Sequence, residues 1–202
     1  IFAAAHKSVY RYQKREGYRD SFHEEYPDIS MEIFQGTYDD VVYWIKNGVV
    51  DVGFLSVSSA ADIPIEPLYK DPLLCVVQKG RRTSKEPMSI EEMKNCQFVT
   101  QRESTDADIQ NFMKENHLDV RSSYHVVDDL STVVMVANGF GICLMPEMVM
   151  KDIPYEVDCF PVKPDACRII GIAALNPDNM APAVRTFYNR VLAMYQQEEY
   201  VK

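Results

Sequence analysis

The chain has 202 residues, of which 47% are hydrophobic and 25% charged, and its net charge is −9. These values are typical of a globular chain with core enough for one large or two small domains, and no apolar run approaches the roughly 20 residues that span a bilayer. The acidic balance argues against nucleic-acid binding by this chain itself, because phosphate contacts require a basic face.

The first predicted elements are a strand, a helix and a second strand. Apolar and polar residues alternate from Ile29, which predicts a strand that ends at Gly36. Thr37 is the predicted N-cap of the following helix, with Asp40 at the capping-box position. The nearly continuous apolar run 49–55 is typical of a strand buried in a parallel sheet. The three elements predict a right-handed βαβ unit.

The same alternation of strands and helices continues to the C-terminus. Further strands are predicted at 73–77, 96–100, 124–127, 142–145, 155–162 and 167–175. Helices are predicted from Ile90, from Ser104-Thr105, over 130–138 and from Pro182. The predicted class is α/β, with parallel sheets covered by helices on both faces.

A corner with two glycines separates one predicted helix from the next strand. Asn138-Gly139 is a helix C-terminus signal, because both residues tolerate the left-handed conformation. Gly141 precedes the apolar run 142–145, and Pro146 ends it because proline cannot donate to a sheet ladder. The stretch therefore predicts a helix, a tight corner and a short buried strand.

Motifs of known chemistry are absent from the sequence. It contains no nucleophile elbow, phosphate loop or His-Glu-x-x-His, and GFGICL lacks the third glycine of a dinucleotide fingerprint. No Cys-x-x-Cys pair is present, and the four histidines are scattered. The acid pairs Asp39-Asp40 and Asp128-Asp129 stand at predicted helix starts, where the helix dipole favours them. We therefore expect no catalytic site, no metal and no cofactor.

Four polar corners follow predicted strands, at 4–8, 36–37, 100–105 and 128–132. In open α/β sheets, ligands bind beyond the carboxyl ends of the strands and against helix N-termini. Small hydroxyl and amide groups that converge there favour a small-molecule site. The alternative, that each corner is only a helix cap, remains open for any one of them.

Three segments in this order resemble the effector-binding domain of LysR-type transcriptional regulators. YPDISMEIFQGTYDDVVYWIKNGVVDVGFL (26–55) resembles the family pattern of Tyr/His-Pro, strand, Gly-Thr corner, helix ending in Gly, and Val-Asp-x-Gly strand. IEPLYKDPLLCVVQKGRR (65–82) is similar to its Pro-Leu and Leu-x-Val-Val segment, and MVANGFGICLMP (135–146) to its Gly-x-Gly-Ile-x-Leu-Leu-Pro.

The resemblance implies a type 2 periplasmic-binding-protein-like fold, with two Rossmann-like subdomains and a hinge. Subdomain I is expected at 1–75 plus 170–202 and subdomain II at 76–169, with chain crossings near 75–78 and 166–169. A small-molecule effector is expected in the cleft between the subdomains. The family's N-terminal winged helix-turn-helix is absent from this chain, which begins at Ile1 without methionine and is expected to be part of a longer protein.

The resemblance also implies which residues bind the effector. They are the loop after the first strand, the Gly-Thr corner, the start of the helix after the subdomain II strand, and the loop before the Gly-x-Gly helix: Ala5, His6, Lys7, Ser8, Gly36, Thr37, Thr100, Gln101, Arg102, Ser104, Asp128, Asp129 and Leu130. Lys7 and Arg102 favour a carboxylate, whereas nearby aspartates disfavour a second negative charge. The expected effector is an amino acid or a monocarboxylate.

The implied protein is a cytoplasmic regulator, not an enzyme. It is expected to form a homodimer or homotetramer and to bind DNA only through the absent N-terminal domain, with no membrane partner. The five cysteines, an odd number mostly in apolar runs, are expected to be reduced. Two alternatives use the same fold, a solute-binding protein of a transport system and an enzyme such as prephenate dehydratase, whose Thr-Arg-Phe motif is not found. A redox sensor built on Cys159 and Cys167 is a further alternative.

Overall fold

The computed structural model describes residues 1–6, 18–101, 107–118, 120, 124–126, 128–151 and 153–196. The strands in these ranges are β1 (Phe2–His6), β2 (Glu32–Gly36), β3 (Val52–Ser56), β4 (Ile65–Gln78), β5 (Met88–Ser89), β6 (Val99–Gln101), β7 (Tyr124–Val126), β8 (Cys143–Pro146), β9 (Val157–Lys163) and β10 (Cys167–Ala173). The helices are α1 (Tyr18–Glu25), α2 (Tyr38–Lys46), α3 (Ile90–Lys94), α4 (Ala107–Glu115), α5 (Asp129–Ala137), α6 (Glu147–Met150) and α7 (Pro182–Gln196).

The chain folds into two compact units. The first comprises Ile1–Lys70 and Ile169–Lys202, and the second Asp71–Arg168. Each unit carries its own strands, helices and hydrophobic cluster. None of the helices in the described ranges is long and apolar enough to cross a membrane.

The sheet of the first unit has the order β2-β1-β3-β10. β1 runs parallel to both β2 and β3, whereas β10 is antiparallel to β3. The predicted strand–helix–strand unit is confirmed as β2, α2 and β3. The prediction of parallel sheets is confirmed for β1, β2 and β3 and is wrong for β10. A strand buried on both faces reads as a continuous apolar run in either direction, so the pattern of β10 does not reveal its orientation.

Close packing of α2 on β3 forms the centre of the first unit. Val41 and Ile45 are at most 1% exposed. A Cβ atom on Gly53 would lie 2.6 Å from a side-chain carbon of each. The glycine therefore lets the helix approach the strand, and a larger residue there would push α2 away from the core.

The second unit is built around the C-terminal part of β4. β8 and β9 pair antiparallel with β4, β5 pairs parallel with β9, and β6 pairs parallel with β7. β4 is much longer than the predicted strand 73–77 and contains Pro67 and Pro72. Proline argues against a strand when the sequence is read alone, because it removes a ladder donor.

A buried ion pair joins three elements of the second unit. Arg168 Nε and Nη2 each lie 2.8 Å from Asp71 Oδ2, and both side chains are 0% exposed. The other carboxylate oxygen, Asp71 Oδ1, accepts a 2.9 Å hydrogen bond from the backbone N–H of Met148 in α6. The carboxylate thus connects β4, β10 and the first turn of α6.

The corner with two glycines has the predicted form. α5 ends before Asn138, Gly139 has φ +83°, and β8 runs from Cys143 to Pro146. Gly141 has φ +157°, and the backbone of Gln97 occupies the space that a Cβ atom on this residue would need. Ile142 N–H donates to Gln97 O at 2.8 Å, and Val99 N–H donates back to Ile142 O at 2.9 Å.

Candidate functional site

In the first unit, the carboxyl ends of β1 and β2 lie side by side. His6 is in register with Gly36, and Ala5 with Gln35. Four predicted site residues, Ala5, His6, Gly36 and Thr37, are therefore brought to one edge of the sheet. This is the edge at which open α/β sheets bind ligands.

Gly36 occupies a position that admits no side chain. A Cβ atom there would lie 2.7 Å from Cη2 of Trp44 and 2.8 Å from Cβ of Asp40. Trp44 also packs against Phe34 at a centroid distance of 5.9 Å. The ring of Trp44 thus stands against the corner, and a ligand that reached Gly36 would approach bare backbone.

Thr37 and Asp40 form a reciprocal capping box at the start of α2. Thr37 N–H and Thr37 Oγ1 each donate to Asp40 Oδ2 at 2.8 Å, and Asp40 N–H donates to Thr37 Oγ1 at 3.2 Å. The hydroxyl proton is therefore engaged within the helix start. A contact from Thr37 to a ligand would use the remaining lone pair of its oxygen or displace the cap.

In the second unit, the carboxyl ends of β6 and β7 are adjacent. Thr100 is in register with His125, and Gln101 with Val126. Thr100 Oγ1 donates to the carbonyl oxygen of Tyr124 and lies 3.3 Å from His125 Nδ1. The ladder places Thr100 and Gln101 at the same kind of sheet edge as in the first unit.

The start of α5 supplies the second side of this edge. Asp128 is the N-cap, and its Oδ1 accepts a 2.9 Å hydrogen bond from Ser131 N–H. Thr132 Oγ1 donates to Asp128 O at 2.8 Å. Asp129 is 7% exposed within the first turn of the helix.

A small pocket lies beside Thr100 in the second unit. Its volume is about 20 Å³, roughly the space of one water molecule. The lining residues come from β6 and its approach, α4, α5 and β8: Phe98, Val99, Thr100, Ile109, Gln110, Met113, Thr132 and Leu144. The pocket brings together Thr100 from one predicted corner and Thr132 from another.

Not all predicted site residues can be placed in this way. Lys7, Ser8, Arg102 and Ser104 lie outside the described residues. Leu130, within α5, is half-buried. Which of the predicted residues contact an effector stays a prediction.

Two further residues at these edges were not among the predicted site residues. Ser56 ends β3, is 0% exposed, and its Oγ lies 3.1 Å from Ser58 Oγ. Thr132 lines the pocket of the second unit. The cluster of hydroxyl residues directly after the apolar strand, Ser56-Val57-Ser58-Ser59, is the signal that would have identified the first of them.

One aspartate of each acid pair forms part of a helix cap in the structure. Asp40 belongs to the box with Thr37, and Asp128 caps α5. In the part of the chain that the structure describes, no group of three or more His, Cys, Asp or Glu side chains is placed to hold a metal ion.

Burial is the main cause of raised pKa values at four thiols, those of Cys75, Cys96, Cys143 and Cys159. Burial raises the pKa of Cys75 to about 12, and it raises the pKa of Cys143 well above its usual value. Cys159 is exposed at the surface, yet partial desolvation and the nearby carboxylates of Asp158 and Glu147 raise its pKa to about 11. Arg168 follows Cys167 in the sequence, but its guanidinium donates to the carboxylate of Asp71. These thiols lack the low pKa that a reactive sensor cysteine requires.

Alkylation of Cys159 is expected to be slow at pH 8 and to accelerate up to about pH 11. With a pKa of about 11 in place of 9.0, the thiolate fraction at pH 8 falls about a hundredfold. Peptide mass spectrometry after timed exposure to iodoacetamide, from pH 7 to 11, measures the rate. N-acetylcysteine is the reference thiol, and an equal rate at pH 8 would contradict the raised pKa.

The chain is similar to known proteins over most of its length. The family model described as "LysR substrate binding domain" matches residues 20–196. The uncharacterized HTH-type transcriptional regulator YoaU of Bacillus subtilis (strain 168) is 22% identical over 174 residues, which are 83% of this chain and 58% of YoaU. The chain thus spans little more than half the length of this curated relative.

Solved structures share the fold. The CcmR regulatory domain of Synechocystis PCC6803, in complex with 2-PG, matches with a TM-score of 0.87 and 16% identity over 98% of both chains. The effector-binding domain of QuiR, in complex with shikimate, matches with a TM-score of 0.83 and 21% identity over 98% of this chain and 97% of that one. The predicted α/β class of type 2 periplasmic-binding-protein-like fold is confirmed.

Proposed function

We propose, since this chain belongs to the LysR substrate-binding domain family, that it is the ligand-sensing regulatory domain of a LysR-type transcription factor. The observation that carries the proposal is the family match over residues 20–196. The paired strand ends in each unit support it, because polar corners stand at the edges where this class of fold binds ligands. The relative YoaU is itself named a transcriptional regulator.

The proposed activity is reversible binding of a small-molecule effector, not catalysis. We place the effector at the corners of β1, β2, β6 and α5, within the cleft that the family resemblance implies between subdomains near 1–75 plus 170–202 and 76–169. The effector class that the charges favour is an amino acid or a monocarboxylate. Asp40 and Asp128 cap helices at these corners and would repel a second negative charge.

Effector binding would shift the population of conformations that the domain adopts. In a longer protein, that shift would reach promoter DNA through an N-terminal DNA-binding domain, and the proposed assembly is a homodimer or homotetramer in the cytoplasm. The net charge of −9 supports the proposal that the N-terminal domain, and not this chain, binds the DNA.

A thermal-shift screen of the 202-residue chain against several hundred metabolites tests the proposal. A ligand at 100 times its dissociation constant stabilises the native state by about 2.7 kcal/mol. For a chain of this size, the expected rise in Tm is about 5–10 °C. We expect shifts confined to one chemical class, with amino acids and small carboxylates included. A cooperative melt that no compound displaces would contradict the sensing role.

Variants of Thr37 test whether the corner of the first unit takes part. Thr37→Val removes the hydroxyl of the capping box and is expected to lower stability by about 0.5–2 kcal/mol and to weaken binding of any effector that the screen identifies. Thr37→Ser keeps the hydroxyl and is the matched control. Equal effector affinity in all three proteins, measured by calorimetry, would remove Thr37 from the site.

A further inference from the structure

The chain passes from one compact unit to the other on two strands. The first connection lies between Lys70 and Asp71 in β4, and the second between Arg168 and Ile169 in β10. β4 and β10 are neighbours in the sheet. The two connections are therefore carried by adjacent strands.

The buried ion pair lies at the point where both connections enter the second unit. Asp71 and Arg168 are the first and last residues of that unit. Nε and Nη2 of Arg168 each lie 2.8 Å from one oxygen of the Asp71 carboxylate. The other oxygen accepts the backbone N–H of Met148. Hydrogen bonds weaken steeply as they bend, so this set of contacts favours one relative orientation of β4 and β10.

Backbone contacts hold the same two strands together within each unit. In the second unit, the N–H of Leu73 donates to the carbonyl oxygen of Ala166 at 2.9 Å. In the first unit, a Cβ atom on Gly171 would lie 2.6 Å from the carbonyl oxygen of Glu66, so the glycine lets the two backbones approach closely. The short stretches between these contacts are left to absorb any movement of one unit relative to the other.

Stability alone does not explain a buried pair of this kind. Taking two charges out of water is costly, and replacing a buried ion pair with apolar residues of similar volume is often neutral or stabilising. Apolar contacts are non-directional, whereas the bonds of Asp71 and Arg168 have fixed directions. The property that distinguishes the pair from an apolar contact is therefore its control of orientation.

We propose that Asp71 and Arg168 form a hinge clamp, which holds the two connections as one ribbon. With the clamp in place, the units move by bending of that ribbon, and not by independent movement of each strand. The clamp thereby limits the number of arrangements that the two units adopt. Its part in effector sensing rests on the proposed function, because apparent affinity depends on the fraction of molecules in a binding-competent arrangement.

The distance between two spin labels measures this freedom of movement. One label is attached at Tyr43→Cys in α2 of the first unit and the other at Lys114→Cys in α4 of the second, and both native side chains are exposed. The cysteines that are not buried, Cys96, Cys159 and Cys167, are replaced with serine in every protein. Pulsed electron paramagnetic resonance of the full chain, without effector, gives the distribution of the distance between the labels.

The double variant Asp71→Leu with Arg168→Met removes the clamp and leaves the site filled by apolar side chains. We expect it to melt within about 5 °C of the parent protein. The width of its distance distribution is expected to increase about twofold or more. Glu25→Leu with Arg190→Met removes an exposed ion pair of the first unit and should leave the width unaltered. An unchanged width in the Asp71 and Arg168 variant would overturn the clamp.

Arg168→Lys decides the question if the double variant does not fold. Lysine keeps a positive charge opposite Asp71 but replaces the rigid fork of donors with a point charge on a flexible stem. The pair then remains while its fixed orientation is lost. We expect a wider distance distribution than in the parent protein, and an equal width would overturn the clamp.

The outcomes separate the clamp from the proposed function. A wider distribution in the double variant, with no metabolite that raises Tm in the screen, would support the clamp and remove the sensing role. If the screen identifies an effector, calorimetry is expected to show about threefold weaker binding, or more, to the double variant. Equal affinity would overturn the part of the clamp in sensing, while the sensing role itself would stand.

Discussion

Replacing Gly141 with alanine is expected to destabilise the protein by about 3 kcal/mol or more. The new Cβ atom would lie 2.5 Å from the carbonyl oxygen of Gln97 and 3.0 Å from its carbon. The backbone at φ +157° is also one that L side chains rarely adopt. Gln97 cannot yield easily, because its carbonyl accepts a hydrogen bond from the N–H of Ile142, the residue before β8.

The matched control is Gly80→Ala. Gly80 has φ +73°, and a Cβ atom there would have nothing within 4 Å, so only the backbone strain of about 1–2 kcal/mol is expected. For a chain of this size, 1 kcal/mol corresponds to roughly 2–4 °C in Tm. Calorimetric melts should therefore show a drop of about 6–12 °C for the Gly141 variant. Equal drops for the two variants would show that the contact with Gln97 has no cost of its own.

Removal of either partner of the Asp71–Arg168 pair is expected to cost about 3–5 kcal/mol. Arg168→Met leaves the Asp71 carboxylate buried, with the Met148 N–H as its remaining partner among the contacts described above. Asp71→Asn leaves a guanidinium buried opposite a neutral amide. Urea unfolding measures both losses, and α6 should lose protection in hydrogen exchange because its first turn is anchored on the same carboxylate.

A double-mutant cycle isolates the coupling of this pair. Asp71→Asn with Arg168→Met removes both charges, so its cost should fall below the sum of the single losses by about 2 kcal/mol. The exposed pair Arg190–Glu25, with side chains 40% and 46% exposed, is the control. Arg190→Met should cost less than about 1 kcal/mol. A similar small cost at Arg168 would mean that the buried pair contributes nothing beyond an exposed one.

Local chemistry made part of the fold predictable from sequence. The capping box of Thr37 and Asp40, and the corner from Asn138 to Pro146, depend on residues within a few positions of one another. Side chains of this kind act on their own backbone, so their effect does not depend on the rest of the chain. These elements lie where they were predicted.

Features set by distant contacts were not predictable in the same way. β4 continues through Pro67 and Pro72, and the antiparallel direction of β10 depends on its neighbour β3. α6 is four residues long, and its first turn donates to Asp71, which lies 77 residues away in sequence. A local pattern of apolar and polar residues does not reveal a hydrogen-bond partner that is so distant in the sequence.

The same distinction applies to the candidate site. The general rule for strand ends identified the corners at Gly36 and Thr100, because a corner needs only a strand followed by a helix. The position of Thr132 in a pocket with Thr100 depends on how α5 packs against β6. The sequence alone predicts which strand ends form such a site. The packing of helices against strands then determines which side chains line the same pocket.

Trp44 gives the corner at Gly36 an optical label of its own. The chain contains one tryptophan, and its ring carbon Cη2 would lie 2.7 Å from a Cβ atom on Gly36. All indole emission of the protein therefore originates beside the first unit's candidate corner. Ligand titrations can be followed there by fluorescence in the unmodified chain, and a nearby change of polarity is read directly as a change in emission wavelength or quantum yield.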